Sequence, residues 1–267
     1  MSVYFVEPHE LLGEPALVAE VARHEPVVGQ LIRRFDLAGT TLMSVGSGIG
    51  YAEAAFLQGG IRRAFLFDID EHGTLEPRLR HLHRPERPDT PFTFFIEDFV
   101  ERSRRPDGLP PIDFLYVSSF TPDEMRREEI AAAHRRLAAA GADLDPDWPA
   151  ETSPVHEAVL AAIDRCLEPG GFFILQSSYA GVDVLRNPGY VRQWARTLEE
   201  HEVTLLESYC FRAAPGVTLW IGVKERASGG DAGALAARLA LSTRPPLTRF
   251  HARAELTDCS ISQVVGA

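Results

Sequence analysis

One stretch constrains this chain more than any other. From Thr41 it runs Thr-Leu-Met-Ser-Val-Gly-Ser-Gly-Ile-Gly50: an apolar run, Leu42 to Val45, followed by glycine at 46, 48 and 50. Good helix formers come next (Ala52, Glu53, Ala54, Ala55, Leu57), and Gly59 and Gly60 stop them. That order reads as strand, glycine turn and helix. Glycine at every second place lets the backbone bend tightly and lets a ligand approach where a Cβ would collide. The helix then begins with unpaired N–H groups facing the same spot.

The next run suggests what the turn holds. Ala64 to Phe67 is a second apolar strand, and it ends on Asp68, eighteen residues after Gly50. An acid at about that distance sits at the tip of the neighbouring strand, where a carboxylate can accept both hydroxyls of a ribose. The same acid can equally cap the turn that follows it. A nicotinamide dinucleotide needs Gly-x-Gly-x-x-Gly/Ala. Here the third position falls on Tyr51 or Glu53, neither small enough for close helix–strand packing.

The Gly-x-Gly-x-Gly spacing instead resembles the first motif of class I S-adenosylmethionine (SAM)-dependent methyltransferases of the small-molecule type. Leu167-Glu-Pro-Gly-Gly-Phe-Phe-Ile-Leu175 resembles that family's Leu-x-Pro-Gly-Gly signature before its fifth strand. The resemblance covers roughly residues 38–224, within a methyltransferase core of 38–225. It implies an α/β fold: a Rossmann-like, seven-stranded, mostly parallel sheet with an antiparallel terminal strand and helices on both faces. Residues 1–37 would be an N-terminal helical cap, 121–153 an insertion in the core, and 226–267 a C-terminal arm or tail.

The cofactor implied is SAM, with S-adenosylhomocysteine (SAH) as product. By that resemblance Gly46, Ser47, Gly48 and Gly50 wrap its amino-acid portion, and Asp68 with Ile69 holds the ribose. Asp98 accepts from the adenine amino group with Phe99 lining the ring, and Ser118 lies beside the methyl group. Asp98 also has a plainer reading, as a structural cap. On the acceptor side stand Tyr179, after the fifth strand, and His156, in the first turn of the helix opened by Ser153-Pro154. His156 is either a base that deprotonates an acceptor hydroxyl or an ordinary exposed histidine.

One departure matters. The family usually carries Asp or Glu two residues before the first glycine, to help bind the SAM amino group; here that residue is Ser44. Methyl transfer to a small molecule stays first. Beside it stand an aminocarboxypropyl-type transfer, as in nicotianamine synthase-like enzymes, and SAM binding without turnover.

Ahead of the glycine stretch, Leu17, Val18, Val21, Val28, Leu31, Ile32 and Phe35 recur at spacings of three and four. That is an amphipathic helical face, either packed against the sheet edge or held as a lid over the site. Length and charge narrow the partners. The 267 residues make one large domain, or one domain with appendages. A net charge of −11 argues against DNA or RNA. No apolar run approaches the ~20 residues that span a bilayer, and Met1 to Glu10 lacks the basic start of a signal peptide; the expected location is cytoplasmic. Cys166, Cys210 and Cys259 form no metal or redox spacing. His81 and His83 have no cluster of acids or thiols around them, so no metal is expected. The C-terminal arm is either mobile or docked on a partner subunit, as in a homodimer.

Overall fold

The computed structural model describes residues 2–11, 13, 15–70, 72–105, 108–117, 154–178, 197–211, 214–225, 249–251 and 254–258. Strand β1 (Ser2–Val6) and the single turn α1 (Pro8–Leu11) precede a long helix, α2 (Pro15–Phe35). Strands and helices then alternate as β2 (Thr41–Val45), α3 (Tyr51–Gln58), β3 (Arg63–Asp68) and α4 (Leu75–Leu82). They continue as β4 (Phe92–Ile96), α5 (Phe99–Ser103) and β5 (Ile112–Val117). Helix α6 (Pro154–Cys166) runs straight into β6 (Leu167–Ser178). The strands β7 (Val203–Phe211), β8 (Ala214–Lys224), β9 (Arg249–His251) and β10 (Ala254–Asp258) complete the set.

Hydrogen bonding orders the sheet β1-β4-β3-β2-β5-β6-β8-β7-β10-β9. The block β4-β3-β2-β5-β6 is parallel, and the strands on both sides of it are joined antiparallel. Strand β2 opens the parallel block, with β3 on one side and β5 on the other. The chain changes direction of winding there, and the space beyond its carboxyl end is the switch point of a doubly wound sheet.

Alternation along the strands builds two cores. Leu42, Leu66, Phe94, Phe114 and Ile174 face α2, α3 and α4 on one side. Met43, Val45, Phe67, Leu115 and Phe173 face α5 and α6 on the other. Helices therefore cover both faces, as near-continuous apolar strands require.

Two expectations are corrected. The sheet has ten strands among the described residues, not seven. The N-terminal region is not helical throughout, because Ser2–Val6 pairs antiparallel with β4. That strand is pinned by side chains: the Phe5 N–H donates to His83 Nδ1 at 3.0 Å, and the Tyr4 hydroxyl donates to Glu76 at 2.6 Å. At the other end, where an arm or tail was expected, β10 covers the edge of β7 and shields its unpaired backbone groups.

Helix α2 packs as its spacing foretold. Val21, Val28, Leu31, Ile32 and Phe35 are buried against the sheet and α3, while Val18 is 48% exposed. Arg34 extends the contact by pairing with Glu207 on β7 through both Nε, at 2.8 Å, and a terminal nitrogen. Of the two readings left open for this helix, the structure has the packed one.

Candidate active site

The glycine turn is held from below by the neighbouring strand. The N–H groups of Gly46 and Ser47 both donate to the Phe67 carbonyl, at 2.9 and 3.3 Å. Gly50 closes the turn by donating to the Ser47 carbonyl at 2.9 Å. Its φ of 84° is left-handed, and an added Cβ would lie 2.9 Å from Leu66 Cδ2 and 3.3 Å from Phe94 Cζ. Bare backbone here lets α3 start directly against β3 and β4. Gly48 is the opposite case. With φ of 53°, an added Cβ would meet nothing within 4 Å. This side of the turn is open, at the switch point, where a ligand can lie on the main chain.

Asp68 ends β3 beside the turn. Its Oδ2 accepts the Gly48 N–H at 2.8 Å and its Oδ1 accepts the Asp70 N–H at 2.9 Å. The capping reading of this residue is therefore present in the structure. A carboxylate offers about four acceptor positions, so these two bonds leave capacity for hydroxyl groups. Ile69 follows, half-buried. One strand further, Asp98 caps α5 by accepting the Val100 N–H at 2.9 Å. Phe99 is 2% exposed, with its ring edge-on to Phe67 in the second core. Glu97, just before Asp98, donates its N–H to the Asp68 carbonyl at 3.0 Å, which ties the ends of β3 and β4 together. Gly46 to Gly50, Asp68 and Asp98 thus line the carboxyl ends of β2, β3 and β4.

The acceptor side is only partly in view. His156 lies in the first turn of α6, which connects β5 to β6 and so begins at the carboxyl end of the sheet; its side chain is not among those described. Ser118 and Tyr179 fall outside the described residues, one place beyond the ends of β5 and β6. The expected insertion lies outside as well. Among the described residues there is no group of three His, Cys, Asp or Glu placed to hold a metal, and no helix is long and apolar enough to cross a membrane.

Sequence reasoning missed Glu53. It stands in the first turn of α3 and is 1% exposed. Oε1 accepts the hydroxyl hydrogen of Ser44, itself fully buried on β2, at 2.5 Å. Oε2 has no hydrogen-bond partner among the described residues. Burial pushes the carboxyl up to about 7, against the Ser44 bond and with help from the negative charge of Asp68. The signal was present in the chain: a serine inside an apolar strand and a glutamate among alanines on the helix above it.

No family model matches this chain, and no curated protein does. Its fold is similar to solved structures at low identity. The 1,6-didemethyltoxoflavin-N1-methyltransferase of Burkholderia thailandensis, solved with 1,6-didemethyltoxoflavin and S-adenosylhomocysteine, is 17% identical over 82% of this chain and 84% of that one, with a TM-score of 0.45. The ribosomal protein L11 methylase of Lactobacillus delbrueckii subsp. bulgaricus is 16% identical over 74% of this chain and 77% of its own, at 0.42. The pyocyanin biosynthetic protein PhzM is 12% identical over 74% of this chain and 54% of its own, at 0.41.

Proposed function

We propose that this protein is a SAM-dependent methyltransferase with a small-molecule acceptor. One observation carries the reading. A left-handed glycine turn, open at Gly48, is bonded directly to an acid on the adjacent strand at the switch point of the sheet. That combination suits a nucleoside whose ribose lies against the acid and whose chain lies on bare backbone.

The residues present fit such a cofactor. Gly46, Ser47, Gly48 and Gly50 would hold its amino-acid end, the remaining acceptor positions of Asp68 its ribose, and Asp98 its adenine edge. When bound, SAM supplies a methyl group already activated by the positive charge on sulfur. The protein's work is then alignment and exclusion of water, so that acceptor and methyl meet in line. His156 is the base we assign to an acceptor that must lose a proton, and Tyr179, next in the chain after β6, is the residue we assign to contact with that acceptor. The net charge of −11 supports a small acceptor over a nucleic acid.

The competing aminocarboxypropyl-type transfer drew its support from the missing acid at position 44. Glu53 stands in contact with that position. Incubation with methyl-labelled SAM and a panel of small acceptors tests methyl transfer: SAH should be released and one methyl gained by the acceptor. If calorimetry on the intact protein detects no binding of SAM or SAH, the reading is wrong.

A further inference from the structure

Asp70 stands two residues past Asp68 with φ of 50°, in the left-handed region that few non-glycine residues enter. Its own carboxylate holds it there. Oδ1 accepts the Leu75 N–H and Oδ2 the Glu76 N–H, both at 2.8 Å, so Asp70 satisfies the first two donors of α4 from five and six residues away. Thr74 occupies the position from which a helix is usually capped, yet its side chain makes no capping bond to the described residues. The cap comes from Asp70 instead. The Gly73 N–H donates to the Asp70 carbonyl at 2.9 Å and closes the turn.

Capping α4 does not by itself call for this arrangement, since a threonine stands ready at the helix start. The left-handed turn does one further thing. It aims the Asp70 N–H back at Oδ1 of Asp68, at 2.9 Å, while Oδ2 of Asp68 accepts the Gly48 N–H. One connected set of bonds therefore runs from the start of α4 through Asp70 and Asp68 to the glycine turn. Its far end is firm, because Leu75 is buried in the first core and Glu76 accepts the Tyr4 hydroxyl from β1. Without the Asp70 carboxylate, the chain is free to leave a backbone conformation that L-residues disfavour, and Asp68 loses the N–H that sets one of its oxygens.

We infer that Asp70 is a positioning residue for the ribose acid. It touches no ligand; it acts through Asp68, by holding the turn whose N–H fixes the orientation of that carboxylate. This rests on the proposed SAM reading and adds to it the residue that decides how well Asp68 is presented.

The test is a double-mutant cycle on the full-length chain, read by calorimetry with SAH and by thermal melts. Asp70→Ala should weaken SAH about three- to tenfold, the scale of coupling within one hydrogen-bond network. On the Asp68→Ala background the same change should cost SAH less than about twofold, because the group it acts through is gone. The melting temperature should fall with Asp70→Ala in both backgrounds, since the cap of α4 is lost in each. Asp70→Asn keeps an acceptor oxygen and tolerates the left-handed turn, and should bind SAH within about twofold of wild type. An SAH loss as large on the Asp68→Ala background as on wild type overturns the assignment. So does a lower melting temperature with SAH affinity unchanged, which would leave Asp70 as a cap alone. Should Asp70→Ala fail to fold, Asp70→Gly, which enters the turn without strain but lacks the carboxylate, carries the same cycle with the same outcomes. Wild-type protein that binds no SAH would sink the proposed function itself, whereas wild type that binds SAH with an additive cycle sinks the Asp70 assignment alone.

Discussion

The backbone N–H of Gly48 donates to Oδ2 of Asp68 across 2.8 Å. Through that bond the acid shapes the turn, in addition to the ribose contact proposed for it. A carboxylate that already accepts two backbone N–H groups is fixed in place before ligand arrives, which lowers the ordering cost of binding.

Asp68→Ala removes both services. SAH affinity should fall ten- to a hundredfold, since hydrogen bonds to a charge contribute roughly 1.5–3 kcal/mol. The freed N–H groups of Gly48 and Asp70 should also lower the melting temperature. Asp68→Asn, which keeps one acceptor oxygen, should lose less on both counts. Calorimetry and thermal melts on the two variants decide this, and unchanged affinity in Asp68→Ala removes the residue from the site.

Glu53 makes stability depend on pH in an unusual direction. Its carboxyl titrates near 7 in the fold and in the ordinary glutamate range when unfolded, so the folded state holds a proton that the unfolded state has lost. The resulting stability is fully present below about pH 4.3 and declines as pH rises to about 7. The full swing is roughly 3 kcal/mol. Glu53→Gln should therefore melt higher than wild type above pH 7, with the gap closing towards pH 4. A gap that is constant with pH would show that Glu53 titrates normally.

The two glycines of the turn should separate fold from binding. Gly50→Ala combines a left-handed residue with a Cβ 2.9 Å from Leu66 Cδ2, and should cost about 2–4 kcal/mol in strain and overpacking. Gly48→Ala meets open space, so only the conformational cost of about 1–2 kcal/mol applies. Its methyl group would occupy the open side of the turn, so SAH binding should fall while the protein stays folded. Urea titration gives the first quantity and calorimetry the second.

Arg34 and Glu207 form a buried pair, with side chains 9% and 11% exposed, and the Tyr209 hydroxyl donates to the same carboxylate. Arg34→Ala strands that acid and should cost about 3–5 kcal/mol. The double change Arg34→Met with Glu207→Leu should recover most of the loss, because attraction in such pairs largely offsets desolvation. A double variant no more stable than Arg34→Ala would contradict this account.

Where the signal is local, the chain could be read in advance. Strands β2 and β3 fall on the apolar runs expected, Leu42 to Val45 and Ala64 to Phe67, and α3 ends at Gly59. Apolar period, glycine spacing and the Asp68 offset are properties of short windows, and they determine the parallel core and the carboxyl-end site. Strands β1, β9 and β10 were not legible. Each is short and has no period of its own, and its partner lies far along the chain. Hydrogen bonding to an open edge, not local preference, makes them strands. The same holds for Glu53. By sequence it is one more helix-forming residue, and only packing α3 onto β2 brings its carboxylate against Ser44 and away from water. Local chemistry set which elements form and where a ligand would lie; tertiary packing decided which carboxylate is buried there, because desolvation and charge pairing exist only once distant segments meet.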